Sequence, residues 1–382
     1  MTVVGLQWVQ STDTYSCPAA DSIGSLTPAT RVAACNAIDP WMSMVRCNLW
    51  DTGVQTATGA NSNTSAAADR CYTDTDVANM GQVMVKLKKF WYATNHTGSP
   101  GSMTYRWYIS STGADSLPSG VGAWKVHPAF TRNSVTKSQI YLGAYEGYYD
   151  GVSKLESVAG VTPSTGAGYT LSGFRGYAEA RGTGWEQNDF LSLCAVQLLY
   201  LLEYGTFYQA NVIGRGITND SALHNTGETT SYGNTTYGTT ANATTAMSYR
   251  GIENLYGNTL KIIDGINIQN YVPAIADHGF ANDTYTGTYT STSLTLGTMT
   301  SAGLADIITS STYDYVFFPY NGGAPSVQVD LCALVSTATG NVGWQSGLGY
   351  GLQWGPSMFG GWMSYPETNY GPYTGSRLMY IG

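Results

Sequence analysis

Charged side chains are scarce. Lysine and arginine total 17 and aspartate and glutamate 25 in 382 residues, 11% of the chain, where roughly a quarter is usual. The net charge is −8, and no run of lysine or arginine occurs. Nucleic-acid binding needs a basic stripe and a polybasic membrane anchor needs clustered cations, so both are excluded, and no nucleic-acid partner is expected. No apolar run approaches the ~18 residues of a transmembrane helix, so no membrane insertion is expected. The opening MTVVGLQWVQ has no basic region ahead of an apolar one, so no signal peptide is expected. Cysteines stand only at 17, 35, 47, 71, 194 and 332, with no Cys-x-x-Cys pair, which speaks against a zinc ribbon or finger. A disulfide among Cys17, Cys35, Cys47 and Cys71 stays open. Small buried hydrophobes are the favoured expectation, with Cys194 inside an apolar helix.

What is abundant is neutral and rigid: 46 glycines, 29 tyrosines and 10 tryptophans. Disorder requires low hydrophobicity with high net charge, and this chain has neither. Its surface must consist of neutral polar groups and tyrosines, as in adhesive loops and antibody paratopes. At ~150 residues per domain, the length suggests two domains, or one with large insertions.

The segment GQVMVKLKKFWY at 81–92 alternates, Val83, Val85 and Leu87 against Gln82, Met84, Lys86 and Lys88, which predicts a half-buried strand. TYRWYIS at 104–110 is a second β run, and the Gly-Ser-Pro punctuation from Gly98 to Ser102 predicts a hairpin between the two. Ile140–Gly151 reads as a strand ending in a turn, and 157–184 as a loop. A helix is predicted over Thr183–Tyr204. Thr183 with Glu186 fits a capping box, Leu191, Cys194, Leu198 and Leu201 form a stripe widened by Phe190, Leu199 and Leu202, and Gly205 ends it. Residues 218–246 are almost wholly Thr, Asn, Gly and Tyr, a polar insertion expected to order only under a covering neighbour. Its Asn-x-Thr sequons at Asn234 and Asn242, and that at Asn282, are read as composition rather than glycan sites. From Tyr249 onward short β pieces alternate with glycine turns. One helix followed by many short strands predicts an α+β fold. Residues 1–80 read as an N-terminal β and loop attachment region, and 81–382 as the main domain.

Four segments carry a resemblance: VMVKLKKFWY with WKVHPAF and IYLGAYEGYY; GFRGYAEARGTGWEQNDFLSLCAVQLLYLLEYGT; SYRGIENLYGNTLKIIDGINI; and GWQSGLGYGLQWGPSMFGGWMSYPETNYGPYTGSRLMYI. Their order resembles the C-type-lectin-like fold of phage tail-fibre and tropism proteins, including the variable proteins of diversity-generating retroelements. A more distant likeness is to the formylglycine-generating-enzyme family. The resemblance implies a virion protein, a homotrimer, that binds a bacterial host surface protein or glycan and contacts other virion proteins. A composition of extracellular type without an export signal agrees, since a virus particle is one way out of the cell. The resemblance puts ligand contacts in the terminal segment, among Trp344, Gln345, Ser346, Tyr350, Gln353, Trp354, Phe359, Trp362, Tyr365, Asn369, Tyr370 and Tyr373. So many aromatics among glycines cannot all enter one core, and those facing out offer large contact area at low entropy cost. Trp344 and Phe359 are assigned nearer the core, Tyr350, Trp354, Tyr365, Tyr370 and Tyr373 nearer the surface. The alternative is a structural virion component with the same fold and buried aromatics.

An enzyme is not expected. The paired cysteines of the formylglycine-generating relatives are missing, because the last third holds Cys332 alone. There is no Gly-x-Ser-x-Gly elbow for a serine nucleophile. A glycosidase needs two carboxylates across a cleft, and Glu179, Glu186, Asp264, Asp277, Asp283 and Asp306 read as turn or cap residues. His127, before Pro128, is expected to be structural, and His96, His224 and His278 suggest no catalytic set. No cofactor and no metal are expected, and Glu367 with Asn369 is too thin a basis for calcium. Arg377, in Gly375-Ser376-Arg377-Leu378, is expected to be a buried guanidinium bonding backbone carbonyls, and Asn254 and Asp264 to be turn residues.

Overall fold

The computed structural model describes residues 3–51, 81–99, 101–166, 168–281, 285–297, 304–322, 341–347, 358–363 and 371–382. Its main elements begin with β1 (Val3–Val9), α1 (Pro28–Cys35), β2 (Arg46–Leu49), β3 (Gln82–Lys88), β4 (Trp91–Thr97), β5 (Thr104–Ser110) and β6 (Gln139–Gly143). They continue with α2 (Leu171–Glu179), β7 (Trp185–Gln187), α3 (Phe190–Tyr204), β8 (Leu260–Gln269), β9 (Val272–Ile275), β10 (Asn341–Ser346), β11 (Gly361–Trp362), β12 (Thr374–Gly375) and β13 (Leu378–Tyr380). Mixed helices and largely antiparallel sheets make this an α+β fold.

One sheet centres on β1–β5–β4, with Val3 opposite Ser110 and Trp91 opposite the same residue from the other side. Alternation sends Val4, Leu6, Trp8, Tyr105, Trp107 and Ile109 to the main core and Val3, Ala93 and Tyr108 to a smaller one. A second sheet runs β7–β13–β6–β3–β2, so the C-terminal strand is inserted between β6 and β7. Here too the pleat divides two cores: Val83, Val85 and Leu87 face the main one, Met84 the one under α2. A third sheet runs β9–β8–β10–β11, with β12 parallel to the start of β8.

α3 lies in the middle, and all of its residues are buried. A helix apolar on every side belongs inside a core rather than on one face of a sheet, so the single stripe expected from sequence understates it. The helix also starts later than expected. Asp189 is its N-cap, accepting from the Ser192 amide at 2.8 Å, and Gly205 ends it at φ +67°. Residues Trp185–Gln187 form β7 against β13 instead, because strand pairing with the C-terminus outweighs a local Thr–Glu capping pattern. Buried Arg31 of α1 closes the far end, donating through Nε to the Leu202 carbonyl at 2.8 Å.

Three other expectations change. Residues 81–92 are two strands in two sheets, and the hairpin across Gly98–Ser102 joins β4 to β5 rather than β3 to β5. Within 157–184 lies α2, capped by Thr170 and burying Leu171, Phe174 and Ala178; its two glycines hide it from propensity. The boundary expected at residue 80 does not divide the fold, since β1 pairs with β5 and β2 with β3. The polar insertion at 218–246 is held by its own chain. Buried Glu253 accepts from the Gly227 amide and from the Thr229 amide and hydroxyl, each at 2.7 Å, and Asn234 Oδ1 accepts from the Arg46 amide at 2.7 Å. Cys17, Cys35, Cys47 and Cys194 are free thiols, and burial pushes that of Cys47 up to about 12. Cys71 and Cys332 lie outside the described residues.

Candidate functional site

The terminal segment returns to the core at several points. β10 pairs with β8, placing Trp344 opposite Ile263. The Trp344 ring packs against Phe190 at 5.5 Å and Phe318 at 5.9 Å. It lies so close over Gly361 that an added Cβ would stand 2.5 Å from it. Gln345 and Ser346 are buried beside it. Phe359 is buried against Phe207 at 4.8 Å and Phe317 at 5.2 Å. Trp362 is half-buried in β11, opposite Gln345. Tyr373 is half-buried, and its carbonyl accepts from the Leu260 amide at 2.9 Å. Trp344 and Phe359 thus sit in the interior to which sequence assigned them. Trp344 and Gln345, also named as ligand contacts, are each only 1% exposed in this chain, although as neighbours in a strand they point to opposite faces of it. Tyr350, Gln353, Trp354, Tyr365, Asn369 and Tyr370 lie outside the described residues.

Arg377 locks the end of the segment. Its Nη1 donates to the Gly143 carbonyl at 2.7 Å and its Nη2 to those of Glu253 and Asn254 at 2.5 and 3.1 Å, the role expected from sequence. Asn254 takes a left-handed turn at φ +49°. Beneath it is a buried ionic knot. Lys261 Nζ lies 2.9 Å from Glu146 Oε1 and donates to the carbonyls of Gly257 and Thr259, both at 2.7 Å. Burial pulls this lysine down to about 8. Glu146 also accepts from Asn254, Asn258 and Thr259.

A second charged group surrounds the start of α3. Arg132 bonds Asp189 at 2.6 Å, and Arg175 grips Asp264 through two bonds of 2.7 and 2.8 Å. Asp264 reaches Arg175 from a β-bulge, where β8 slips against β10 between Ile263 and Asn267; such bulges re-aim side chains. Glu186 joins them, and its buried Oε2 has no partner among the described residues. Burial, then the charge of Asp189, raises Glu186 to about 7. Asp189 and Asp264 are each consumed by an arginine, so this group anchors elements and holds one proton near neutral pH.

The histidines divide by burial. His127 is fully buried, accepts from the Ala129 amide through Nδ1 at 3.2 Å, and is pulled by burial to about 3. His224 is bracketed by Glu228 at 2.7 Å and Asp220 at 3.0 Å. Burial pulls it down, but the two carboxylates prevail and raise it. His278 pairs with Asp277. Among the described residues no group of three or more His, Cys, Asp or Glu is placed to hold a metal, and no helix is long and apolar enough to cross a membrane.

No family model matches this chain, and no curated protein matches it.

Sequence reading missed a cleft of about 400 Å³ between the end of α1, the turn at 41–45, the end of α3 and the loop at 234–236. Its floor is the ion pair of Arg250 with Glu203, at 2.6 and 2.8 Å. Residues more than 150 positions apart meet there, and no local pattern foretells such a meeting. The one local hint was the polar stretch around Asn234 and Thr235, too regular in composition to suggest a wall.

Proposed function

We propose that the chain is a phage virion receptor-binding protein of the tail-fibre or tropism type. In this reading its body is C-type-lectin-like and homotrimeric, and its terminal segment grips a bacterial surface protein or glycan. The observation that carries the reading is the tethering of that segment: β10, β11 and β13 each return to a sheet. The strands on either side of the aromatic- and glycine-rich sequences thus belong to sheets, and binding residues are often carried on segments joined to such a scaffold. A composition poor in charge and rich in tyrosine suits adhesion, and several copies would add avidity.

The test is binding to bacterial cells of wild type against a variant with Tyr350, Trp354, Tyr365 and Tyr370 all changed to Ala. Both are first checked for equal melting temperature and equal sedimentation. The expected result is binding by the wild type to some strains and at least a tenfold loss in the variant, since truncating a single aromatic anchor often costs ~2 kcal/mol or more. Equal binding by both removes the terminal aromatics from the contact. The second reading, a structural virion component with the same fold, draws on the burial of Trp344 and Phe359. It gains if the aromatics are needed for assembly and not for adhesion.

A further inference from the structure

The cleft between α1 and α3 has the character of a binding site, and no described residue of the terminal segment lines it. Its apolar wall comes from Val32, Met42, Met44 and Val45, and its lip carries the exposed polar side chains of Asn36 and Thr235. At about 400 Å³ it falls in the range of small-ligand pockets, ~300–1,000 Å³.

The charges on its floor are spent. Arg250 gives Nε and Nη2 to Glu203, Nη1 to the Trp41 carbonyl at 3.2 Å and Nη2 also to Asn36 Oδ1 at 3.0 Å, while Glu203 takes the Tyr249 hydroxyl at 2.9 Å. A charged ligand would lose hydration here without gaining a counter-charge, so the occupant is neutral. One exposed apolar group, Met42, lies at the same place. Among the described residues Met42, Val135, Val152 and Tyr232 are the exposed large apolar side chains. Met42, 51% exposed, lines the cleft, and Tyr232, 39% exposed, lies on the turn that carries Thr235. Apolar exposure beside a polar rim is characteristic of protein contact sites, and methionine walls adapt to varied side chains. A sugar would need an open aromatic face, yet the cleft's two aromatics, Trp41 and Tyr204, are only 0% and 6% exposed. Asn36 Oδ1 already accepts from Arg250, and its amide nitrogen is a donor of the kind that a peptide carbonyl requires.

We propose that this cleft binds a short uncharged peptide segment of a partner protein, seating one apolar side chain against Met42, Met44 and Val45, with the backbone meeting Asn36 and Thr235. It goes beyond the reading above, and none of the terminal aromatics among the described residues lines the cleft.

The experiment is titration of the full chain, by calorimetry or ligand-observed NMR, with blocked tripeptides Ala-X-Ala in which X is Leu, Ala, Glu or Lys, and with N-acetylglucosamine. The Leu peptide is expected to bind at least about tenfold tighter than the Ala peptide, because burying one or two more methylenes accounts for that factor. The Glu and Lys peptides should be weaker still. Met42→Glu and Thr235→Arg, both at exposed positions, should each remove at least tenfold of Leu-peptide affinity with an unchanged melting temperature. The terminal-aromatic variant should bind the peptide like wild type. Equal binding of the Leu and Ala peptides, tighter binding of the sugar, absence of peptide binding, or retention of affinity in both cleft variants overturns the proposal.

Discussion

Glu186 sits in the middle of β7, opposite Met379, with its Oε2 buried and unbonded among the described residues. Burial is the main reason its carboxyl stays protonated up to about pH 7, against an ordinary glutamate value of 4.5; the charges of Asp189, Asp264 and Glu179 act in the same sense and Arg132 opposes them. A folded-state value above the unfolded one means that protonated Glu186 favours the fold. That contribution is complete below about pH 4.5, declines as pH rises, and is gone above about pH 7. With each tenfold in proton affinity worth about 1.4 kcal/mol, the full swing is about 3 kcal/mol, and water reaching the half-buried side chain reduces it. Glu186→Gln keeps the shape and removes the titration. Urea unfolding at pH 8.5 should find the variant more stable than wild type by ~1–3 kcal/mol. At pH 4.5 the two should agree within about 0.5 kcal/mol. Taking the difference between the proteins at each pH matters, because Asp264 and Glu253 are also raised by burial and add to the wild-type profile. A variant no more stable than wild type at pH 8.5 would refute the reasoning, since ionised Glu186 would then have a good partner.

Two further outcomes test the anchoring of the terminal segment. Arg377→Ala strips donors from the carbonyls of Gly143, Glu253 and Asn254, and should cost ~3–5 kcal/mol in denaturant unfolding; a cost under ~1 kcal/mol would mean that water replaces it. Gly361→Ala would put a methyl 2.5 Å from the Trp344 ring. The expected loss is ~1–3 kcal/mol, with a changed near-ultraviolet dichroism from the displaced indole, and an unperturbed spectrum would contradict the close packing.

Local chemistry made part of this protein legible in sequence. The β4–β5 turn was readable because glycines at 98 and 101, both at positive φ, punctuate two apolar runs. The apolar run 190–204 and the glycine after it were readable as a helix and its stop, and Arg377 as a buried clamp. These depend on neighbours within a few residues. What sequence could not supply was pairing. Whether Trp185–Gln187 begins a helix or joins a strand is decided by Leu378–Tyr380, nearly two hundred residues away. Residues 3–51 belong to the body because β1 and β2 find β5 and β3, and composition carries no record of partners. Of the terminal aromatics, sequence said that not all could be buried and assigned Trp344 and Phe359 nearer the core. The tertiary structure supplies what covers them, Phe190 and Phe318 for Trp344 and Phe207 and Phe317 for Phe359. The cleft is wholly a tertiary product: Trp41, Glu203, Asn234 and Arg250 come from four separate stretches of chain, and only packing brings an ion pair and two methionines to one surface.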